Sequence, residues 1–150
     1  MRPDAPRGLF LARDGTWFHD GQGVHHERLA ALLHRSIARR DDGVLVVTTG
    51  VDVVPFVAED APYLVRTVRV LEATLVLSDG SEEVLASPLH VDAAGRVRVR
   101  VKGGRFWALL SRSASQVVMS GLDEHGAHVR LASATIALVA LESPGHGWGG

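Results

Sequence analysis

Seven residues, Arg96-Val97-Arg98-Val99-Arg100-Val101-Lys102, alternate basic and β-branched side chains without a break. A period of two fits a β-strand and no helix, because successive side chains on a strand point to opposite faces. Val97, Val99 and Val101 then need a core on one side. Arg96, Arg98, Arg100 and Lys102 share the other, with neighbours about 7 Å apart. Like charges in a row repel, so the row wants anions opposite it. One source is a phosphate-bearing ligand. The other is a set of acidic neighbours such as Glu72, Glu82 or Glu83 across a solvated outer face. Gly103-Gly104 ends the strand, and a helix predicted over Arg105 to Ser120 would add free N–H groups that favour an anion at its start.

The remaining patterns predict an α+β fold. Thr16 to His19 reads as a short strand between two Asp-Gly turn signals, and the dozen residues before it read as loose. Leu29, Leu32, Leu33, Ser36 and Ile37 lie on one face of a helix predicted over His26 to Arg40. Val44 to Thr48 and Val51 to Val57 read as strands, the second needing an edge or a bulge at Pro55. Glu59-Asp60-Ala61-Pro62 is a polar turn and the expected boundary between an N-terminal unit (14–61) and a C-terminal unit (62–143). Tyr63 to Leu71, Thr74 to Leu77, Glu83 to Ala86, His128 to Leu131 and Thr135 to Leu141 complete the strands, with a hairpin turn at Ser78 to Ser81. Residues 144–150 read as a flexible tail. The order strand, helix, strand, strand occurs twice, so two small similar sheet-and-helix units are expected.

Composition excludes several classes. A chain of 150 residues with 46% apolar residues can bury a core without staples. It has no cysteine, so disulfides and cysteine-held metals are out. The formal charge of -1 gives no global field for nucleic acid or an anionic membrane. No apolar run is long enough for a signal-peptide core or a bilayer span, so a soluble, cytoplasmic protein is expected.

Asp14-Gly15-Thr16-Trp17, Gly21, Leu29-Ala30-Ala31-Leu32-Leu33, Thr49-Gly50-Val51-Asp52 and Ala58-Glu59-Asp60-Ala61-Pro62-Tyr63 follow one another along the chain. The series resembles a bacterial family, domain-of-unknown-function family 1285. That family's pattern runs Asp-Gly-x-Trp, Gly, Leu-Val-x-Leu-Phe, Thr-Pro-Val-Glu and Val-Glu-Asp-Ala-Pro-Phe. Thr49 to Tyr63 matches without a gap, and Gly104 to Arg112 resembles the start of a later helix in the family. Gly50 replaces the family's proline, Asp52 its glutamate, and His26 the basic residue that opens its first helix. The resemblance implies duplicated α+β units, the second loosely like a pleckstrin-homology barrel. It also implies a cleft between the units for a nucleotide-like ligand, and a role in signalling.

The residues support a binder more than an enzyme. Ser111, Ser113 and Ser115 lack a Gly-x-Ser-x-Gly elbow, and no phosphate-binding glycine loop is present. His19, His25, His26 and His34 lack the His-Glu-x-x-His spacing; they read as exposed or capping, and no metal or cofactor is expected. The expected ligand is a small anion, with Arg98, Arg100 and Lys102 holding its charge. Arg112, Thr49 and Asp52 would orient it, with Glu59 and Asp60 beside them at the junction. The same polar junction residues could instead cap turns, and Asp60 could pair with Arg112. The alternative function is a protein-interaction module or a homo-oligomeric structural domain.

Overall fold

The protein is described by a computed structural model, which covers residues 6–140. It is an α+β fold of two sheets and two helices. The first sheet holds β1 (Leu9–Leu11), β2 (Trp17–His19), β3 (Gln22–Gly23), β4 (Ile37–Arg39), β5 (Leu45–Thr49) and β6 (Asp52–Ala58), in the order β3-β2-β1-β6-β5-β4, with α1 (Glu27–Arg35) between β3 and β4. The second holds β7 (Tyr63–Arg69), β8 (Thr74–Leu77), β9 (Glu82–Val84), β10 (Leu89–Val91), β11 (Val97–Val101), β12 (Phe106–Leu110), β13 (His128–Leu131) and β14 (Ala134–Ala140). Their order is β13-β14-β10-β11-β12-β7-β8-β9, with α2 (Arg112–Met119) between β12 and β13. In both sheets three successive antiparallel strands lead into a helix. Antiparallel strands then return, three in the first sheet (β4 to β6) and two in the second (β13 and β14), and the last of them lies parallel to the first of the opening three: β6 on β1, β14 on β10.

One apolar core runs through both sheets, from Leu11, Trp17 and Leu33 to Tyr63, Leu89 and Val99. The alternation of β11 explains its place. Val97, Val99 and Val101 are each 1% exposed or less, and burying each contributes roughly 1.5–3 kcal/mol. A smaller cluster of Ala61, Leu64 and Leu109 forms a second apolar layer, with Trp107 packed against it. The residues at the end of the chain read as a flexible tail lie outside the described residues.

Four local expectations are corrected. The loose N-terminal segment contains β1, which pairs with β2 and β6. The first helix stops at Arg35, because Ser36 closes it: its N–H bonds the Leu33 carbonyl and its hydroxyl donates to the Leu32 carbonyl at 2.6 Å. Ile37 to Arg39 then continue as strand, where a β-branched residue packs better than on a helix. The second helix begins only at Arg112. The apolar run Phe106 to Leu110 is a strand, and its five apolar residues in succession suit a strand covered on both faces. Gly103-Gly104 therefore opens no helix; with Lys102 it turns β11 into β12, all three residues having positive φ. Pro55 sits within β6, opposite Val46. The register with β1 begins one residue later, at Phe56, so Pro55 lies where β6 is an edge on that side.

Candidate functional site

The junction of the sheets is built on the turn between β6 and β7. Asp60 in this turn is 5% exposed and accepts two bonds from the Arg98 guanidinium, at 2.9 Å from Nε and 2.6 Å from Nη2. The third arm of Arg98, Nη1, donates to Asp92 at 2.8 Å. The other Asp92 oxygen accepts from the N–H groups of Ala94 and Arg96, which closes the β10–β11 turn. Burial works to raise the Asp92 carboxyl and to lower the Arg98 guanidinium. The bonds of Arg98 to Asp60 and Asp92, and those of Asp92 to Arg98 and the two N–H groups, outweigh it, so the Asp92 pKa lies below its ordinary value and that of Arg98 above. A bidentate arginine between two carboxylates matches the planar geometry of the guanidinium.

Arg98 is thus committed to the fold and does not meet solvent. Arg100 lies over the Trp107 ring, with Cζ 4.1 Å from the centroid. Lys102 donates to Asp79 at 2.6 Å and to Ser81 at 2.8 Å. The partners of the basic row are therefore Asp60, Asp92, Asp79 and a tryptophan face, in place of the acidic residues anticipated from sequence; Glu83 meets only the Lys102 backbone N–H. Asp60 pairs with Arg98 rather than Arg112. Thr49 and Asp52 face each other across the tip of the β5–β6 hairpin and line no cleft described below. Gly50 at that tip has φ +63°, which proline, locked near -65°, cannot adopt. The family's Thr-Pro would therefore not fit this turn.

Two of the expected residues do meet in a cleft. It measures about 920 Å³ and is lined by both halves of the chain, Glu59 and Arg112 among them. Leu64, Val97, Leu109 and Leu110, all buried, form its floor, with Phe18 beside them. Arg96 and Arg112 are exposed at its mouth. Arg13 lines it too; its Nε lies 3.5 Å from Asp60, and its backbone N–H donates to Glu59 at 2.8 Å. Ser111, the N-cap of α2, accepts from the Ala114 N–H, so the positive end of this helix opens on the cleft. The helix start anticipated at Arg105, beside Arg98, Arg100 and Lys102, lies instead seven residues further on, at Arg112, beside a different set of arginines.

Arg13 and Asp92 were not singled out by sequence, and Arg96 stood out as one of the basic row on β11 but not as a residue that holds the ligand. Asp92 carried a signal, since it precedes a turn into the basic strand and could cap it. Arg13 and Arg96 each flank an Asp-Gly or Ala-Gly turn, which gave no hint that the two turns approach one cleft. Among the described residues no group of three or more histidine, aspartate or glutamate side chains comes together to hold a metal. His26 caps α1, its Nδ1 accepting from the Leu29 N–H at 3.2 Å. No described helix is long and apolar enough to cross a membrane.

His34 is 3% exposed, with its ring edge on Trp17 and its Nε2 3.2 Å from the Gly15 carbonyl. Burial, with the nearby Arg66 cation, lowers its pKa from 6.5 to about 4. Between those values the unfolded chain takes up a proton that the folded chain refuses. Stability is therefore expected to fall as the pH drops from about 6.5 to about 4, by about 3 kcal/mol at full extent. Urea unfolding at pH 7 and pH 5 measures this, and His34→Gln is expected to flatten the slope.

No family model matches the chain, and no curated protein does. Solved structures do. The chain is similar to a DUF1285 family protein from Silicibacter pomeroyi, at 20% identity and a TM-score of 0.70, over 91% of this chain and 81% of that one. It is similar to a DUF1285 family protein from Shewanella baltica at 20% identity and a TM-score of 0.52, over 69% of this chain and 84% of that one. The chain has the fold of the DUF1285 family proteins, the family its motifs resemble.

Proposed function

We propose that the cleft between the sheets binds a small amphipathic anion, nucleotide-like in joining a flat apolar body to a phosphate, and that binding serves signalling or regulation rather than catalysis. The observation that carries this reading is the pairing of a buried apolar floor with Arg96 and Arg112. Neither side chain has an ion pair or hydrogen bond among the described residues. A ring would lie over Leu64 and Leu109, and the phosphate would meet both guanidinium groups and the start of α2. Arg98 acts at one remove: it holds Asp60, and Asp60 holds Arg13 at the cleft wall. The shared strand-helix order of the two sheets fits a duplicated unit, the second loosely pleckstrin-homology-like, with the cleft at the seam.

A nucleotide panel followed by thermal shift and calorimetry tests the reading. At least one mononucleotide is expected to raise the melting temperature, and Arg112→Ala to weaken its binding about tenfold, or about 1.4 kcal/mol. No shift and no heat from any member, or an unchanged affinity in Arg112→Ala, would overturn it. A second reading, a protein-interaction module, is favoured by the β5–β6 hairpin, where Val51, Val53 and Val57 are 97%, 55% and 52% exposed. Sedimentation of the wild-type chain separates the two, since self-association lost in Val53→Ser would place an interface there.

A further inference from the structure

A second hollow, of about 550 Å³, lies where the end of α1 and β4 meet the β11–β12 turn, and it shares no lining residue with the cleft. Five cationic side chains line it, Arg35, Arg39, Arg40, Lys102 and Arg105, against one carboxylate, Asp79. At least two of the five have counter-charges: Lys102 has Asp79 at 2.6 Å, and Arg40 has Asp42 at 2.6 Å. Arg35 and Arg105 have no carboxylate in ion-pair reach among the described residues.

The cations are held in place rather than left to drift. Arg39 Nη1 donates to the Arg105 carbonyl at 2.6 Å, and Arg105 Nε donates to the Lys102 carbonyl at 3.1 Å. The Arg39 guanidinium lies 4.6 Å from the Phe106 ring centroid and that of Arg105 lies 6.0 Å from it. Lys102 itself has φ +56°, a conformation that disfavours any residue with a Cβ. The phenol of Tyr63, also in the lining, has its pKa pushed up to about 12, chiefly by burial, so it remains a donor. A hollow that offers guanidinium, ammonium and phenol donors is complementary to a multiply charged oxyanion. The cations arrive from α1, β4 and the β11–β12 turn, and two linked phosphates carry more charge and more acceptor oxygens over a longer span than one.

We propose that this hollow is a second anion site, which takes the pyrophosphate group of a small molecule. The proposal does not depend on the cleft being occupied. Calorimetry on the full chain with sodium pyrophosphate tests it, with sulfate as a control at matched ionic strength. A saturable heat is expected, with affinity about tenfold above that of sulfate and weakened about tenfold in Arg105→Ala and in Arg35→Glu. Arg112→Ala removes the contribution of the other cleft, and the heat that remains is expected to keep its dependence on Arg105 and Arg35. Arg35 is exposed and outside the core, so its substitution keeps the test valid if Arg105→Ala disturbs the turn. The proposal is overturned by the absence of a saturable heat, by equal binding of sulfate, by indifference to both substitutions, or by complete loss of the heat in Arg112→Ala.

Discussion

Replacing Arg98 with methionine is expected to lower folding stability by about 3–5 kcal/mol, because it strands two buried carboxylates. The side chains of Asp60 and Asp92 are 4% and 0% exposed, and that of Arg98 is 2% exposed. Solvent cannot take over the lost bonds without opening the junction. Methionine matches the length of the aliphatic part of arginine, so the loss reports charge and hydrogen bonding more than volume. The triple variant Arg98→Met, Asp60→Asn, Asp92→Asn removes the stranded charges and keeps an acceptor for the N–H groups of Ala94 and Arg96. It is expected to regain most of the loss. Urea unfolding of the two variants measures both effects; a loss below about 1 kcal/mol in Arg98→Met would mean that the network contributes little.

Trp17→Ala is expected to cost a similar amount, about 3–5 kcal/mol. Trp17 is 0% exposed, with its ring edge-on to Phe56 at 5.0 Å and to His34 at 5.4 Å between centroids. It therefore joins β2, β6 and α1. The Asp14-Gly15 turn that delivers it is tied to the same helix through the Gly15 carbonyl and His34. Truncation leaves a void bounded by strand and helix from three directions, which has little room to collapse. The midpoint of urea unfolding is expected to fall with an unchanged slope. Near wild-type stability would show that the first sheet does not depend on this ring.

The strands of this chain were legible where β-branched residues alternate, as in β11, or cluster between turn signals, as in β5. β5, β6, β8, β11, β13 and β14 lie within a residue or two of their expected positions, since β-branched alternation leaves one acceptable conformation. Both helices were over-extended for one reason. Leu29 to Ile37 and Trp107 to Val118 each satisfy a helical spacing that continues across a strand, and spacing alone cannot tell a short apolar strand from a helical turn. β1 was missed because Leu9 to Leu11 is short and follows two prolines. The site was less legible. The basic face of β11 announced its need for anions, but Asp60 is 38 residues away and comes from the other side of the junction. Whether a row of arginines faces water, a ligand or buried carboxylates is decided by tertiary contacts that no local pattern records. Arg112 and Glu59 line the cleft, whereas Thr49 and Asp52, equally polar and equally family-like, lie at a hairpin tip.

The most direct test is a crystal structure of the full chain grown in the presence of the mononucleotide that gives the largest thermal shift. The account predicts density for the base over Leu64 and Leu109 and for the phosphate between Arg96 and Arg112. A cleft that stays filled with water, with the nucleotide bound elsewhere or absent, would contradict it.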